Sequence, residues 1–459
     1  MKLYVLLILV IAAGSCIGAP VPKYAPATAA GQHLITRAEM YLSKGRYLEA
    51  LSFCNDVLLN KGIWPEQDIV AAETMVRTIH RSYVNDNDTG CAAYPSLPTD
   101  IRVLIEETRD PLVIRAPTQM IVATDAGTPV LLVPEQSDLI IRSDNGSLDV
   151  NTQRAPHRLT ITSASGTDLF VNGRRYCGVL QVHADNQTIL LINKVPLEQY
   201  LEGVLPFEIF PSWPEQALQA QAIASRTYAL YHMIKRNADP FDVYATTSSQ
   251  MYGGCTNTSS RIKTAVAATR GMVLTYDSRI ILALFHANSG GMTADVQHLW
   301  GFQTPSLAAV PDPFSEHHIG DQWETTITAC DIRNRLQAVG LQLHEDFTVV
   351  PVQRDMTGRV AVVKILQQQS FFLTGNSFRL LIGASQIKST RFSVTKKKTS
   401  FVFSGRGYGH GAGMSQWGAY EMARRGYDAK QILRFYYPTA TLSVVESGRC
   451  KNEEAASPP

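Results

Sequence analysis

Hydrophobic positions follow two different periods along this chain, and the point where the period changes predicts its organisation. Across residues 31–84 the apolar positions recur at helical spacing, and Gly45 marks a turn between two predicted helices. From Ile101 onward the pattern becomes a series of short apolar runs, separated by turn signals such as the Asn172-Gly173 pair. We therefore expect a small helical segment followed by a β-rich region.

The β-rich region is interrupted by helices rather than alternating with them. Predicted helices begin near Pro196 and Trp213, strands recur later, and the chain returns to helix over residues 414–425 and 429–435. Asp428 is the expected N-cap of the last helix. Because strands and helices cluster in blocks, the sequence favours an α+β fold, a mixed β-rich domain with inserted helices, over a parallel doubly wound sheet.

The helical segment has one repeat-like phrase. Residues 38–50 resemble a single tetratricopeptide unit. One such unit cannot bury its own apolar face, and at least about three are normally stacked together. We therefore expect residues 31–84 to form a small helical cap on a main domain spanning 98–445. The polar C-terminal residues 448–459 are predicted to be a disordered tail.

The N-terminus predicts export from the cytoplasm. Met1-Lys2 precedes an apolar run over residues 3–13, which is typical of a secretory signal and shorter than the roughly 20 residues of a membrane span. Cleavage after Ala19 would release a soluble protein. Alternatively, Cys16 lies in a loose lipoprotein box and would become a lipidated membrane anchor, and an uncleaved short anchor is a third possibility. Residues 1–19 thus predict a location in the periplasm or on the outer face of the cytoplasmic membrane.

Composition narrows the function classes. The chain has 459 residues, 45% hydrophobic and 18% charged, which is typical of a folded globular protein. Its formal net charge of +2 gives no electrostatic signal for nucleic acid. Apart from Cys16 the cysteines are even in number, which permits disulfides in an exported chain, but their spacing does not dictate the pairing. They are Cys54, Cys91, Cys177, Cys255, Cys330 and Cys450.

The candidate catalytic group is Glu208, which lies in the apolar segment Val204–Trp213. An enclosed acid is a candidate proton donor, because full burial penalises the charged form and raises the pKa by roughly 3–5 units. We expect a helix to begin just after it, with Ser212 as N-cap and Glu215 completing a capping box. That helix end would favour the carboxylate by only about 0.3–1 kcal/mol, so burial would dominate. A surface glutamate in a loop is the alternative.

The segment offers one good acid rather than a pair. Ordinary glycosidases use two carboxylates, one as acid and one as base or nucleophile. Glu215 is assigned to the helix cap, and Glu198 and Glu202 lie four residues apart on the preceding helix, where an exposed face explains them. This pattern suits a reaction in which the substrate supplies its own nucleophile.

Five segments carry recognisable motifs. They are Val195–Gly203, Val204–Tyr228, Ser249–Gly253, Ser289–Thr293 and Gly405–Ala419. In this order and at this spacing they resemble the SpoIID/LytB family, named for stage II sporulation protein D. The resemblance covers roughly residues 98–445.

This resemblance implies a peptidoglycan lytic transglycosylase. Such an enzyme cleaves between N-acetylmuramic acid (MurNAc) and N-acetylglucosamine (GlcNAc) with a single acid and leaves a 1,6-anhydro-MurNAc end. Glu208 matches the family's catalytic glutamate. The family prefers glycan strands that an N-acetylmuramoyl-L-alanine amidase has stripped of stem peptides, which implies peptidoglycan and possible amidase partners. The resemblance thus implies an enzyme that acts outside the cytoplasmic membrane, in sporulation, division or wall remodelling. Some proteins with this domain are described as amidase enhancers, so a non-catalytic enhancer or wall-binding adaptor is the alternative.

Nine further residues match the family's motifs and are expected to line a sugar-binding groove. Gln221 and Tyr228 lie on a polar stripe of the helix after Glu208, together with Ser225 and His232, and a solvated face is the alternative for this stripe. For Ser289, which precedes Gly290 and Gly291, a tight turn explains the motif equally well. For His410, a structural hydrogen bond is an equally good explanation. The nine are Gln221, Arg226, Tyr228, Gln250, Tyr252, Ser289, His410, Ser415 and Gln416.

The sequence predicts neither a metal site nor a cofactor. Some members of the family hold zinc with a His and two Cys just before the position of Gln250, but residues 242–249 contain neither type, and Cys255 lies beyond them and alone. No CxxC pair indicates a zinc ribbon or a redox motif. The glycines of residues 405–413 imitate a phosphate-binding loop, but that motif is weak outside a βαβ unit. His317-His318 has no ligand spacing and is expected in a surface loop.

Overall fold

The computed structural model describes residues 27–84, 99–166, 168–236, 238–256, 258–446 and 449–452. The predicted export signal, Cys91 and most of the predicted C-terminal tail lie outside these ranges. The domain boundary near residue 98 stays a prediction. Within the described ranges, no helix combines the length and the apolar character that crossing a bilayer requires.

Helices form the N-terminal segment and the centre of the molecule. Their bounds are α1 Ala27–Ser43, α2 Tyr47–Leu59, α3 Glu66–Ile79, α4 Leu197–Glu208, α5 Glu215–Lys235, α6 Ser260–Ala268, α7 Val296–Trp300, α8 Ala329–Gln337, α9 Gly375–Ile382, α10 Gln416–Arg424 and α11 Ala429–Tyr436. A π-helical turn follows α3 at His80–Val84, and 3₁₀ turns lie at Pro305–Leu307 and Pro313–Ser315.

Strands fill most of the remaining chain. Their bounds are β1 Asp100–Thr108, β2 Leu112–Arg115, β3 Met120–Thr124, β4 Pro129–Val133, β5 Leu139–Asp144, β6 Ser147–Val150, β7 Gln153–Ala155, β8 Arg158–Ser163, β9 Leu169–Val171, β10 Arg174–Tyr176, β11 Val179–Asp185, β12 Thr188–Pro196, β13 Val243–Tyr244, β14 Met272–Tyr276, β15 Arg279–Ile280, β16 Phe285–His286, β17 Gln322–Thr328, β18 Thr348–Arg354, β19 Val360–Leu366, β20 Phe371–Thr374, β21 Phe392–Lys396, β22 Ser400–Arg406, β23 Met414–Ser415, β24 Thr441–Glu446 and β25 Arg449–Asn452.

The predicted α+β class is confirmed, because the sheets are mainly antiparallel and helices and strands come in separate blocks. One large sheet has the order β13-β1-β12-β11-β8-β3-β4 and a second has β10-β9-β2-β5-β6-β7. Burial alternates along β11, where Leu180 and Val182 face the core while Gln181 is partly exposed. This alternation is what an antiparallel sheet with one solvated face requires.

Helix α5 lies at the centre of the larger hydrophobic core. Nearly every residue from Ala217 to Ile234 is buried. The predicted polar stripe through Gln221 and Tyr228 therefore does not face solvent. The predicted capping box is wrong as well: α5 begins after Pro214, no side chain caps it, and Glu215 accepts a hydrogen bond from Gln219 instead. The helix starts too late along the chain for Ser212 to occupy the N-cap position.

The N-terminal helices pack on residues 322–406 and share a second core with them. Trp64 of the helical segment stacks on Phe371 of β20 with ring centroids 6.1 Å apart. The Asn60 side-chain amide donates to the Phe372 carbonyl at 2.7 Å and accepts from the Phe372 N–H at 2.9 Å. Asp56 accepts from the N–H of Thr374 at 2.7 Å. The helices thus form a small cap held by polar contacts to the backbone of β20.

The region under this cap consists of two three-stranded sheets, β17-β22-β21 and β18-β19-β20, with α8 and α9. From β22 the glycine-rich segment 407–413 returns the chain to the larger core, where β23 pairs in parallel with β16. Helix α10 starts directly after β23, and α11 has the predicted Asp428 cap, which forms a complete capping box with Gln431. This return brings the start of α10 to the end of α4.

Candidate active site

Glu208 is the last residue of α4. Pro206 lies in the final turn, and the helix ends two residues later. The side chain is half-buried, while its neighbour Phe207 and the nearby Phe210 are exposed. The position at a helix C-terminus removes the expected stabilisation of the carboxylate by a helix N-terminus, because the negative end of the helix dipole disfavours a negative charge.

Two hydrogen bonds hold the Glu208 carboxyl. The backbone N–H of Met251 donates to Oε1 at 2.8 Å, and the side-chain amide of Gln416 donates to Oε2 at 3.2 Å. Burial raises the pKa of Glu208, and these two hydrogen bonds lower it by a smaller amount. No second carboxylate of the described residues bonds to this group. The result is a single acid that holds its proton to higher pH than a solvated glutamate, yet is reachable from solvent.

The loop that carries Met251 is fixed from below by its neighbours. Gln250 is fully buried, accepts from the Tyr200 hydroxyl at 2.9 Å and donates to the Ser225 carbonyl. The Tyr252 hydroxyl donates to Asn193 at 2.7 Å, also in the interior. Neither side chain is available to stack on or bond to a sugar, as the sequence had suggested. Gln250 and Tyr252 instead position the Met251 N–H that binds Glu208.

A disulfide anchors the same loop. Cys177, which precedes β11, is bonded to Cys255, and the Cys255 N–H donates to the Arg175 carbonyl at 2.8 Å. The expectation that Cys255 stands alone was wrong. Asp168 lies close to both sulfurs. Cys330 is also disulfide-bonded, whereas Cys54 is a buried free thiol.

Gln416 is positioned by the start of α10. Ser415 is buried and is the N-cap of this helix, where its hydroxyl accepts from the Gly418 N–H at 3.3 Å. The same oxygen accepts from the Ser289 N–H at 3.3 Å. Ser415 therefore orients Gln416 and does not face the substrate side, which corrects its assignment as a groove residue.

Asp312 is the centre of a buried polar network that the sequence did not reveal. Its carboxylate accepts from the hydroxyls of Ser289 at 2.7 Å and Tyr436 at 3.0 Å, and from that of Ser315. The Ser315 hydroxyl in turn bonds to that of Ser415 at 2.6 Å. Burial raises the pKa of Asp312. Ser289 thus serves the scaffold, and no pattern in the sequence around Asp312 could have identified it.

The two glycines after Ser289 allow two loops to approach each other closely. Gly290 has a φ of +70°, and a Cβ atom there would lie 2.6 Å from the backbone nitrogen of Gly407. Only glycine tolerates both the left-handed backbone and this approach. The tight-turn alternative for this motif is therefore the one that the geometry supports.

Arg226 is a buried structural residue. It is 1% exposed and forms a two-pronged ion pair with Glu198, with both N–O distances at 2.8 Å. Its remaining donors reach the carbonyls of Met272 and Val266. Arg226 has no donor left for a sugar. Glu198 is the counter-ion of Arg226 and not simply a residue of an exposed helix face, as the sequence had predicted. Both expectations from the sequence are corrected.

Gln221 is also in the interior. Its amide nitrogen donates to Ser225 at 3.1 Å, while its buried Oε1 has no hydrogen-bond partner among the described residues. At 1% exposure it lies beneath the surface. Of the nine expected groove residues, Gln416 alone bonds to Glu208 within the described ranges.

An aromatic surface flanks Glu208 and is formed by the two helix ends that meet there. Trp213 and Trp417 have ring centroids 4.9 Å apart, and each lies within 5.3 Å of Tyr420. Phe210, which is 56% exposed, extends the row, and His318 stacks on Trp417 at 5.0 Å. His318 is thus half-buried against this cluster rather than in a free surface loop. An exposed aromatic ring such as Phe210, beside an acid whose pKa is raised by burial, can bind the apolar face of a sugar ring.

Tyr228 and His410 lie on a separate cavity beside the site, which we call the side cavity. Its wall also contains Glu49 of α2, Ser249 and Arg379 of α9, and its volume is about 140 Å³. The Nδ1 atom of His410 accepts from the Ala412 N–H at 3.1 Å, and the ring also bonds to the Phe285 carbonyl. Burial and two nearby arginines lower the pKa of His410 to about 3, so the ring is neutral. Its contacts are the structural hydrogen bonds that the sequence left as an alternative.

Two family models match the chain. One, described as stage II sporulation protein, matches residues 185–276, which include Glu208, Gln250 and Met251. The other is described as a domain of unknown function (DUF8618) and matches residues 317–413, which include Arg379 and His410.

Similar proteins come from several bacteria. An uncharacterised protein of Brachyspira hyodysenteriae is 34% identical over 284 residues, which are 62% of this chain and 76% of the relative. Stage II sporulation protein D of Bacillus subtilis is 27% identical over 271 residues, which are 56% of this chain and 77% of that protein. The amidase enhancer of Bacillus subtilis is 29% identical over 290 residues, which are 53% of this chain and 40% of that protein.

Proposed function

The chain belongs to the SpoIID family, and from this membership we propose that it is a lytic transglycosylase that cleaves the MurNAc–GlcNAc bond of peptidoglycan with Glu208 as its acid and base. The family relationship is consistent with a function in peptidoglycan processing. The observation that carries the finer proposal is the Glu208 carboxyl itself: half-buried, raised in pKa and held by the Met251 N–H and the Gln416 amide.

In the first step, protonated Glu208 donates its proton to the glycosidic oxygen as the bond from that oxygen to C1 of MurNAc breaks. The leaving GlcNAc keeps the proton as its C4 hydroxyl. The carboxylate then accepts the proton of the C6 hydroxyl of the same MurNAc, and that oxygen bonds to C1. No water is consumed, and Glu208 ends protonated as it began. General acid–base help of this kind contributes roughly 10²–10⁴-fold.

The hydrogen bonds to Glu208 suit a group that alternates between two protonation states. Burial favours the acid required for the first step, while Met251 and Gln416 stabilise the carboxylate required for the second. A water-activating partner would have to be a second carboxylate, as in ordinary glycosidases. Glu198 is occupied by Arg226 and Glu215 by Gln219, which supports a mechanism with one acid.

The aromatic surface supports a carbohydrate substrate. Phe207 and Phe210 are exposed on either side of Glu208, and Trp417 directly follows Gln416. A glycan strand lying across these rings would place a glycosidic oxygen next to the acid. We further propose that the preferred strands are stripped of stem peptides, that the protein acts after export, and that Cys16 or a cleaved signal determines whether it is lipid-anchored.

The second candidate function is that of an amidase enhancer or wall-binding adaptor. The observation that favours it is the 29% identity to the amidase enhancer of Bacillus subtilis. In this case the aromatic surface would bind glycan, an amidase would be the partner, and Glu208 would not be needed for turnover.

The test is product analysis by mass spectrometry. Purified wild type, Glu208→Gln and the matched control Glu215→Gln, an exposed glutamate of α5, are incubated with intact and with amidase-stripped peptidoglycan. We expect 1,6-anhydro-MurNAc products from the wild type and the control, and none from Glu208→Gln. If none of the proteins gives products, although each is folded and still binds the cell wall or stimulates an amidase, the enzyme proposal is rejected in favour of the adaptor.

A further inference from the structure

The side cavity lies where the three parts of the fold meet. Leu48 and Glu49 of the N-terminal cap, Tyr228 of the central helix α5, and Arg379 of α9 face one another across it. Its volume of about 140 Å³ corresponds to roughly ten water sites at about 10–15 Å³ each. It therefore has room for a small acidic substituent or part of a sugar, but not for a disaccharide.

Arg379 brings an unmatched positive charge to this cavity. The residue is 7% exposed, and its Nε donates to the Lys388 carbonyl at 3.3 Å. Its two terminal nitrogens have no hydrogen-bond acceptor among the described residues. Burying a charged group without partners is costly, and proteins normally pair such a group or bind a counter-ion.

A second buried arginine, Arg359, lies behind the cavity wall near Arg379 and has the Asp355 carboxylate within electrostatic range. Arg359 is 1% exposed, and its Nη2 reaches the Ser289 and Met292 carbonyls, while its Nε and Nη1 are buried without partners within the described part of the chain. Burial lowers the pKa of Arg359 and of Arg379 to about 10, so both remain charged at neutral pH. His410, which lies near both, is neutral and does not compensate them.

The carboxylate nearest in the cavity wall is already paired. Glu49 binds Arg46 through hydrogen bonds of 2.6 and 3.0 Å. Tyr228 and Ser249 also line the cavity, and their side chains are hydrogen-bonded to each other. The side cavity thus has a guanidinium whose terminal nitrogens lack an acceptor among the described residues, with polar side chains beside it, which is a suitable environment for a small anion.

The side cavity is adjacent to the catalytic carboxyl. Ser249 in its wall is two residues from Met251, whose N–H binds Glu208, and two residues span at most about 7 Å of chain. The Glu208 carboxyl also contributes to the raised pKa of Tyr228, which places the two groups within electrostatic range. The side cavity and the Glu208 carboxyl thus adjoin the same loop, from Ser249 to Met251.

We propose that the side cavity binds a carboxylate of the glycan substrate through Arg379, and that this carboxylate is the free lactyl group of peptide-stripped MurNAc. This inference rests on the proposed function. The lactyl ether is carried by the same sugar whose C1 is cleaved. In an intact strand this lactyl carboxyl forms an amide bond with the stem peptide. The amide carries no charge, and the attached peptide is too large for the cavity. The cavity would thus select stripped strands by both charge and size.

The experiment measures binding in the Glu208→Gln background, where cleavage does not interfere. The ligands are a stripped GlcNAc–MurNAc tetrasaccharide, the same tetrasaccharide with its lactyl carboxyls converted to methylamides, the peptide-bearing tetrasaccharide, and sodium lactate alone. We expect the stripped form to bind about 10–100-fold more tightly than the methylamide, since one charge-assisted hydrogen-bonded pair is at stake. Arg379→Gln should abolish this preference, and Arg379→Lys should retain part of it.

Arg434→Gln, an exposed arginine of α11, is the matched control and should keep the full preference. Thermal unfolding of each variant establishes that it is folded. The proposal would be overturned if the folded Arg379→Gln variant still preferred the stripped tetrasaccharide to its methylamide. It would also be overturned if the peptide-bearing tetrasaccharide bound as tightly as the stripped one. A third contrary result would be that lactate binds in a way that depends on Arg379 but is not displaced by the tetrasaccharide. Because only binding is measured, failure of the transglycosylase proposal would appear separately, as absence of anhydro products from the wild type.

Discussion

The side-chain amide of Gln416 lies 3.2 Å from the carboxylate of Glu208, although 208 residues separate the two in the chain. One residue ends α4 and the other begins α10. The surroundings of the Glu208 carboxyl are thus completed by a part of the chain that returns to the larger core after residues 322–406, which pack beneath the N-terminal helices.

Replacing Gln416 with Met should change the pH dependence of cleavage. The Gln416 amide stabilises the Glu208 carboxylate, so its removal raises the pKa of Glu208 further. The alkaline limb of the pH–rate profile should therefore move to higher pH, and turnover should fall about 10–100-fold, because a hydrogen bond to a charged group contributes about 1.5–3 kcal/mol. Gln153→Met, at an exposed position of β7, is the control. An unaltered profile would contradict the assigned role.

Ser415 and Ser259 allow the loss of a helix cap to be separated from the loss of positioning. Each caps a helix, α10 and α6 respectively. Replacement by Ala should cost about 0.5–2 kcal/mol of stability in both variants, as measured by chemical denaturation. Only Ser415→Ala should also lower kcat, because Gln416 follows it directly. Equal kcat in the two variants would mean that the cap does not position the site.

The Arg226–Glu198 pair predicts a stability effect without a binding effect. Glu198→Gln removes the charge that Arg226 faces in the interior and should lower the free energy of unfolding by about 1.5–3 kcal/mol. Glu202→Gln, four residues along the same helix, should change it far less. Affinity for stripped glycan should be the same in both variants. A selective loss of affinity in Glu198→Gln would restore Arg226 to the substrate groove.

Removing the disulfide should affect both stability and turnover. The Cys177–Cys255 bond closes a loop of 78 residues, so the Cys177→Ala/Cys255→Ala variant should lose about 2–5 kcal/mol of stability. Because the bond anchors the loop that presents the Met251 N–H, kcat should fall even at temperatures where the variant is fully folded. Denaturation curves and cleavage rates measured together would show this. Full activity in the folded variant would mean that the loop keeps its shape without the bond.

Asp56 predicts a loss of stability with rising pH. Burial raises its pKa to about 8, from 3.8 for a solvated aspartate. Between about pH 4 and pH 8 the unfolded chain gives up this proton while the folded protein keeps it, so stability falls as pH rises. Asp56→Asn should therefore melt at least about 4 °C above the wild type at pH 8, and much closer to it at pH 4. Asp110→Asn, an exposed change, should show no such dependence.

The sequence singled out Glu208 as the candidate acid and Gln416 as a groove residue because both lie in dense local motifs, and the structure joins the two by a hydrogen bond. Glu208 is surrounded by apolar residues, and Gln416 sits at a helix start after a glycine-rich segment. The same motifs also contain residues that hold the scaffold, such as Arg226, Gln250 and Ser415. Motif membership does not distinguish a residue that touches substrate from one that positions it, since that depends on which side of the backbone is buried.

Other features were beyond sequence reasoning because they join distant segments. Cys177 and Cys255 are separated by 78 residues, and nothing in their spacing indicates a pair. Asp312 binds the hydroxyl of the nearby Ser315 and those of Ser289 and Tyr436, which lie 23 and 124 residues away, and each looks ordinary in its own context. The α+β class was predictable from the grouping of periodic patterns. The start of α5 was not, because the Ser212–Glu215 spacing imitates a capping box.

The Asn60 and Asp56 side chains bind the outward-facing backbone groups of β20, the last strand of its three-stranded sheet. They take the place that a fourth strand would occupy. An open strand edge with buried apolar residues such as Phe371 and Leu373 on one face is a template for intermolecular pairing. A fragment lacking the N-terminal helices would therefore expose the β20 edge. We expect such a fragment to aggregate through strand pairing between molecules rather than simply to unfold.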